Sequence, residues 1–279
     1  MKGSEPTHLE LTEVRNRAEK IVREHGLESF PVDVLALARA KQIEVFPNPN
    51  TEEGVSGMLL RSGDTFAIVY ATYLNNEGFE RFSIAHELGH YFLPSHYDLR
   101  DPSGSQHFSK AGFFSVDRLE READTFAGSL LMPEDLFRES MNDFELGLPA
   151  IESMATLCRT SLTATAIRYA ELNERPVGVV VSTAGAVEWS CLSRSFYKAF
   201  SERGPARGTK VPQGTATASI ACNPEKVARS TRVSRLGDLS DWSDSGGERE
   251  ITEDVIGLGR YGRVLTVLSF QGDSECLVD

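Results

Sequence analysis

The run Arg81-Phe82-Ser83-Ile84-Ala85-His86-Glu87-Leu88-Gly89-His90 constrains this chain more than any other segment. Its apolar pattern predicts a helix from about residue 78 to residue 93, ended by Pro94. Residues four apart share a helix face, so the imidazoles of His86 and His90 can reach one metal ion. Glu87 projects about 100° round the axis from His86. It can stand beside a metal-bound water without taking a ligand position, which makes it the candidate general base. Zinc lowers the pKa of such a water to about 7. Gly89 costs helix propensity and predicts a close approach by another element.

A hydrolytic zinc site takes a third protein ligand and leaves a fourth position open. The next helical segment, Leu119-Glu120-Arg121-Glu122-Ala123-Asp124-Thr125-Phe126-Ala127, offers candidates. Glu120 lies roughly 75° from the centre of its apolar face and Glu122 roughly 85° away on the opposite flank. That difference does not separate them. Asp124 shares the flank of Glu120, one turn on, and favours Glu120 as ligand with Asp124 hydrogen-bonding the outer nitrogen of a ligating histidine. His96 and His107 compete as third ligands from the intervening loop. The extended HExxHxxGxxH pattern wants Gly at 93, however, and this chain has Leu93.

Around these helices the pattern predicts an α+β protein. Residues 9–25 have helical spacing, Pro31 opens a short helix, and Ile43–Phe46 reads as a strand ended by Pro47. Two β-prone runs in 57–70 flank Ser62-Gly63-Asp64 as a hairpin. Strand 65–70 is expected to be an edge along which an extended substrate pairs. Residues 95–114 read as a long loop, followed by a helix from about 116 to 131 capped by Ser115. Helices at 149–158 and 162–173 are split by Arg159-Thr160-Ser161. After Pro176, VGVVVS, VEWSCLS, ATASIAC and RVLTVLSF read as strands. The expected domains are 1–133, a helical helix-turn-helix-like section at 134–175, and an α+β domain at 176–279.

Charge and cysteines exclude several classes. The net charge of −12 opposes general affinity for DNA or RNA. Between Arg194 and Arg235, nine Lys/Arg face two acids, a net of +7 interleaved with Phe196, Tyr197 and Phe200. This stretch reads as a docking surface for an acidic protein face, or as ordinary solvated surface. The four cysteines are scattered and form no CxxC pair, so they read as reduced structural thiols. No apolar stretch reaches a membrane span, and the N-terminus lacks a secretory core; a cytoplasmic protein is expected.

RFSIAHELGHYFL followed by LEREADTFAGSLLMP resembles the ImmA/IrrE family of bacterial regulatory metallopeptidases over about residues 10–175. The resemblance implies a gluzincin-like domain with a small twisted sheet. It implies zinc, with manganese as an alternative in the cell, on His86, His90 and Glu120, with Glu87 as base and Asp124 behind a histidine. It further implies an endopeptidase that cuts a helix-turn-helix repressor, derepressing a DNA-damage, stress or mobile-element regulon. The layout after Pro176 is similar to a radiation-response member whose last domain is GAF-like. The alternative is a DNA- or partner-binding regulator with a structural or weakly active metal site, using 148–173 as a helix-turn-helix. Only one arginine in LTATAIRYAEL supports that use.

Overall fold

The computed structural model describes residues 6–50, 54–96, 107–110, 117–200, 204–243 and 248–270. The chain packs into two compact units, residues 1–137 with 155–161, and residues 138–154 with 162–279. The helices within 134–175 are thus shared between the units.

The first unit opens with α1 (His8–Glu24), held at its start by a capping box between Thr7 and Glu10. Asp33 caps α2 (Val34–Ala40) by accepting from Ala36 N–H. Then come β1 (Ile43–Asn48), β2 (Val55–Ser62), β3 (Thr65–Ala71), α3 (Glu77–Phe92), β4 (His107–Lys110) and α4 (Arg118–Leu131). The chain continues through α5 (Glu134–Met141) and α6 (Leu148–Cys158).

The sheet order is β1-β3-β2-β4. The hairpin forms as expected, with Ser62 opposite Thr65 and Gly63 at φ 60°, a conformation glycine adopts without steric cost. Two expectations change. Strand β3 is not an edge, because β1 pairs with it in parallel while β2 pairs on its other side. Pairing of substrate along 65–70 is therefore ruled out. And Pro47 does not end β1, which runs on to Asn48. Among the described residues β1 pairs only with β3, and an edge strand tolerates a residue without an N–H. Ser115 lies outside the described residues; Asp117 caps α4 by accepting from Leu119 N–H.

Helix α3 packs on β2, β3 and α4, and α4 packs in turn on α1. Residues Ser83 to His90 are all buried, so α3 is a core helix rather than a surface one. At Gly89 helices α3 and α4 nearly touch. A Cβ there would lie 3.2 Å from Ala123 Cα and 3.3 Å from Ala123 O.

The second unit holds α7 (Leu162–Leu172), β5 (Val177–Thr183), β6 (Ala186–Leu192), α8 (Arg194–Phe200), α9 (Ala216–Ala221) and α10 (Pro224–Ala228). It ends with β7 (Arg232–Asp238), β8 (Glu250–Gly257) and β9 (Arg263–Ser269). The sheet order is β6-β5-β9-β8-β7, and every neighbouring pair is antiparallel. Burial runs unbroken along most of β5, β8 and β9, so both faces of the sheet are covered. ATASIAC, expected as a strand, is helix α9 capped by Thr215. Alanine is the best helix former, and small residues carried no true alternation. Its first amides, Ala216 and Thr217 N–H, donate to the buried Glu253 carboxylate of β8 at 2.8 and 2.9 Å. The next residue, Asp254, points to the other face and accepts from Leu148 N–H at the start of α6. Each acid meets the positive end of a helix. Cys158, Cys191 and Cys222 are free thiols, and burial pushes Cys158 up to about 12. Cys276 lies outside the described residues.

Gly89→Ala should test the helix contact. The backbone of Ala123 cannot rotate away, so overpacking should cost about 1–3 kcal/mol despite roughly 1 kcal/mol of gained propensity. Urea unfolding of the metal-free protein reads this out; an unchanged midpoint would mean that α3 and α4 part freely.

Candidate metal centre

Asn76 caps α3, its side chain accepting from Phe79 N–H at 3.0 Å. At the far end Arg17 Nε–H donates to Phe92 O at 2.9 Å. Between these fixed ends, His86, Glu87 and His90 sit 3%, 0% and 0% exposed. Two ring nitrogens of the helix meet face to face: His86 Nε2 and His90 Nε2 are 3.1 Å apart. From α4, Glu120 brings Oε2 to 3.4 Å from His86 Nε2 and Oε1 to 3.3 Å from His90 Nε2.

These spacings test whether a zinc ion suits the donor set. A tetrahedral ion with bonds of 2.0–2.2 Å holds its ligand atoms roughly 3.3–3.6 Å apart. Two nitrogens and a carboxylate at 3.1–3.4 Å fit that frame within a few tenths of an ångström. Both imidazoles also use their other nitrogen elsewhere. His86 Nδ1 lies 2.9 Å from Asp124 Oδ1, and His90 Nδ1 lies 2.8 Å from His96 Nδ1. A ring whose Nδ1–H is donated outward keeps Nε2 bare for a cation.

The ionisation of the cluster follows from its burial. Burial pushes His90 down to about 3 and His96 down to about 4, so both rings are neutral. Burial would lower His86 too, but hydrogen bonds to Asp124 and Glu120 outweigh it and hold His86 well above the usual imidazole range. Burial raises Asp124, only partly offset by His86. A divalent cation would replace the proton that His86 otherwise holds against Glu120.

Glu87 lies against β2. A Cβ on Gly57, beside a break in the β2–β4 register, would stand 2.9 Å from Glu87 Oε1, so glycine makes room for this carboxylate. Glu122, the rival ligand from sequence, is 2% exposed and turned away from the two facing nitrogens. It accepts from Ser95 Oγ–H at 2.6 Å, Arg118 Nε–H at 2.8 Å and His96 Nε2 at 3.2 Å. Burial raises its carboxyl, yet those hydrogen bonds together hold it below the ordinary range. His96 stands behind His90 and contributes no atom to the donor group. His107 opens β4 opposite Leu59. Ser109 of β4, hidden in what reads as a loop, places its Oγ 3.5 Å from His90 Nε2. No pattern in 95–114 pointed to it.

His86 and His90, one turn apart on a buried helix, and Glu120 from the neighbouring helix form a group that could hold a metal ion, with Glu87 beside them. Residues 38–165 match the family model for the IrrE N-terminal-like domain, peptidase family M78. Comparison with curated proteins returns no match. Among solved structures the fold is similar to a Mycobacterium tuberculosis transcriptional regulator, with a TM-score of 0.60 and 17% identity. The similarity covers 92% of this chain and 76% of that one.

Substituting each acid in turn should separate their parts. Glu120→Gln should weaken zinc binding by more than the roughly 10–100-fold typical of residues that only orient a ligand. Glu122→Gln should weaken it less. Chelator competition measures both, and the opposite order would move the ligand to Glu122.

Proposed function

We propose that this chain is a cytoplasmic, zinc-dependent endopeptidase that cleaves a helix-turn-helix transcriptional repressor. The observation that carries the reading is the three-way approach of His86 Nε2, His90 Nε2 and the Glu120 carboxylate at 3.1–3.4 Å beside buried Glu87. The IrrE N-terminal-like match supports the peptidase class. The regulatory role rests on the resemblance of the two helical motifs, in keeping with a structural neighbour that is itself a transcriptional regulator.

In this reading His86, His90 and Glu120 hold the ion, and Asp124 fixes His86 through Nδ1. When bound, zinc acidifies a water and polarises the scissile carbonyl. Glu87 takes the proton of the attacking water on its carboxylate and delivers it to the leaving amine. Gly57 keeps that carboxylate uncrowded, and the buried walls of α3 and α4 keep bulk water from competing for the proton.

The rival DNA-binding use of α7 meets a specific obstacle. Ala164, Thr165, Ala166, Arg168, Tyr169, Ala170 and Leu172 are all buried, and α7 packs on β5 and β6. Arg168, its one arginine, is 3% exposed and cannot reach a base edge. The basic stretch is partly spent on local contacts: Arg229 pairs with Glu225, and Arg232 with Glu152. Arg194, Lys198, Arg207 and Lys210 stay exposed, and in our reading they help to choose a protein partner. Arg203 lies outside the described residues. No helix among the described residues is long and apolar enough to cross a membrane.

Incubating the protein with candidate helix-turn-helix repressors and zinc or manganese, then weighing the fragments by mass spectrometry, tests the activity. Glu87→Gln should keep its metal and its unfolding midpoint while cleavage falls about 10²–10⁴-fold. Cleavage by Glu87→Gln at the wild-type rate would remove Glu87 as the base.

A further inference from the structure

We infer that His96 is a positioning residue for the metal site: its Nδ1 accepts the Nδ1–H of His90 and so fixes the His90 tautomer whose Nε2 is bare. The inference rests on the reading of His86, His90 and Glu120 as metal ligands and names a part of that site which the sequence motifs do not contain.

The direction of the chain of hydrogen bonds is set at its outer end. His90 Nδ1 and His96 Nδ1 are 2.8 Å apart, so one ring must donate and the other accept. The other nitrogen of His96, Nε2, lies 3.2 Å from Glu122 Oε2. An ionised carboxylate only accepts, and Glu122 is already surrounded by donors, Ser95 Oγ–H and Arg118 Nε–H. His96 therefore carries its proton on Nε2 and presents a bare Nδ1. His90 must then donate from Nδ1, which leaves His90 Nε2 without a proton, facing His86 and Glu120. The reverse order fails at the outer end. It would set the His96 Nε2 lone pair 3.2 Å from the Glu122 carboxylate, which only accepts.

The relay is built into the fold rather than left to a mobile side chain. Pro94 ends α3, and a single 3-10 turn over 94–96 swings His96 back beneath the helix, with its N–H bonded to Leu93 O at 3.1 Å. His96 is wholly buried. Arg118 reaches past Glu122 to Glu10 at 2.6 Å, and Glu10 in turn accepts from Thr7 N–H in the cap of α1. The two ligating histidines are thus oriented by unlike partners. Asp124 meets His86 directly, whereas His90 meets a neutral imidazole with the carboxylate one residue further out.

The test compares two variants that differ in one property. In His96→Asn the amide Oδ1 takes the place of the ring Nδ1 and keeps an acceptor for His90; in His96→Leu there is none. Zinc affinity is read by chelator competition, and unfolding midpoints of the metal-free forms control for packing. His96→Leu should bind zinc about 10–100-fold more weakly, while His96→Asn should stay within about threefold of wild type. Equal losses in both variants, or none in either, would overturn the inference. Long-range proton–nitrogen NMR of the zinc-loaded wild type decides the matter even if His96→Leu does not fold. It should find the His90 proton on Nδ1 and the His96 proton on Nε2. A proton on His96 Nδ1, or His90 bound through Nδ1, would overturn it. If the wild type bound no zinc, the ligand reading would fall and this one with it; if zinc binding were normal in His96→Leu, only this one would fall.

Discussion

Two imidazole nitrogens held 3.1 Å apart inside a protein core are the constraint on which the first unit depends. Lone pairs so placed repel unless a proton or a cation lies between them. Burying His86, Glu87, His90 and Glu120 together costs several kcal/mol per unpaired charge, far more than a domain can spare. The surrounding structure supplies the compensation. Asp124 and His96 take the outward ring protons, Glu120 closes the donor group from α4, and Arg118 and Ser95 secure Glu122 behind it. The close packing at Gly89 lets α4 approach near enough for a short glutamate side chain to reach both rings.

The second unit uses carboxylates differently. Glu253 and Asp254 are neighbours on β8, and alternation sends them to opposite faces of a sheet covered on both sides. There each accepts from amides at a helix start, so two buried acids tie helices to the sheet rather than binding a metal. This is structural chemistry, and it places the candidate catalytic groups in the first unit.

What could be read from the sequence was what depends on local spacing. The pair His86/His90, the helices α1, α3, α6 and α7, and the hairpin all follow from repeats of a few residues. That Glu120 rather than Glu122 stands beside the two histidines was legible only because Asp124 shares its flank; helix angles alone left it open. The parallel pairing of β1 onto β3 joins segments with no common pattern, and so the edge assigned to 65–70 was wrong. β8 went unread because Glu253 and Asp254 interrupt its apolar run for reasons visible only where the helix starts lie. Ser109 and the inward turn of His96 depend on how the chain after Pro94 folds back, which no periodicity records.

The central claim is that His86, His90 and Glu120 bind one zinc ion with no cysteine among its ligands. X-ray absorption spectroscopy on the zinc-loaded protein, with metal stoichiometry measured alongside, tests it most directly. The account predicts one ion per chain with nitrogen and oxygen neighbours at about 2.0–2.2 Å and the outer-ring scattering of two imidazoles. Sulfur at about 2.3 Å, a single imidazole, or no retained zinc would contradict it.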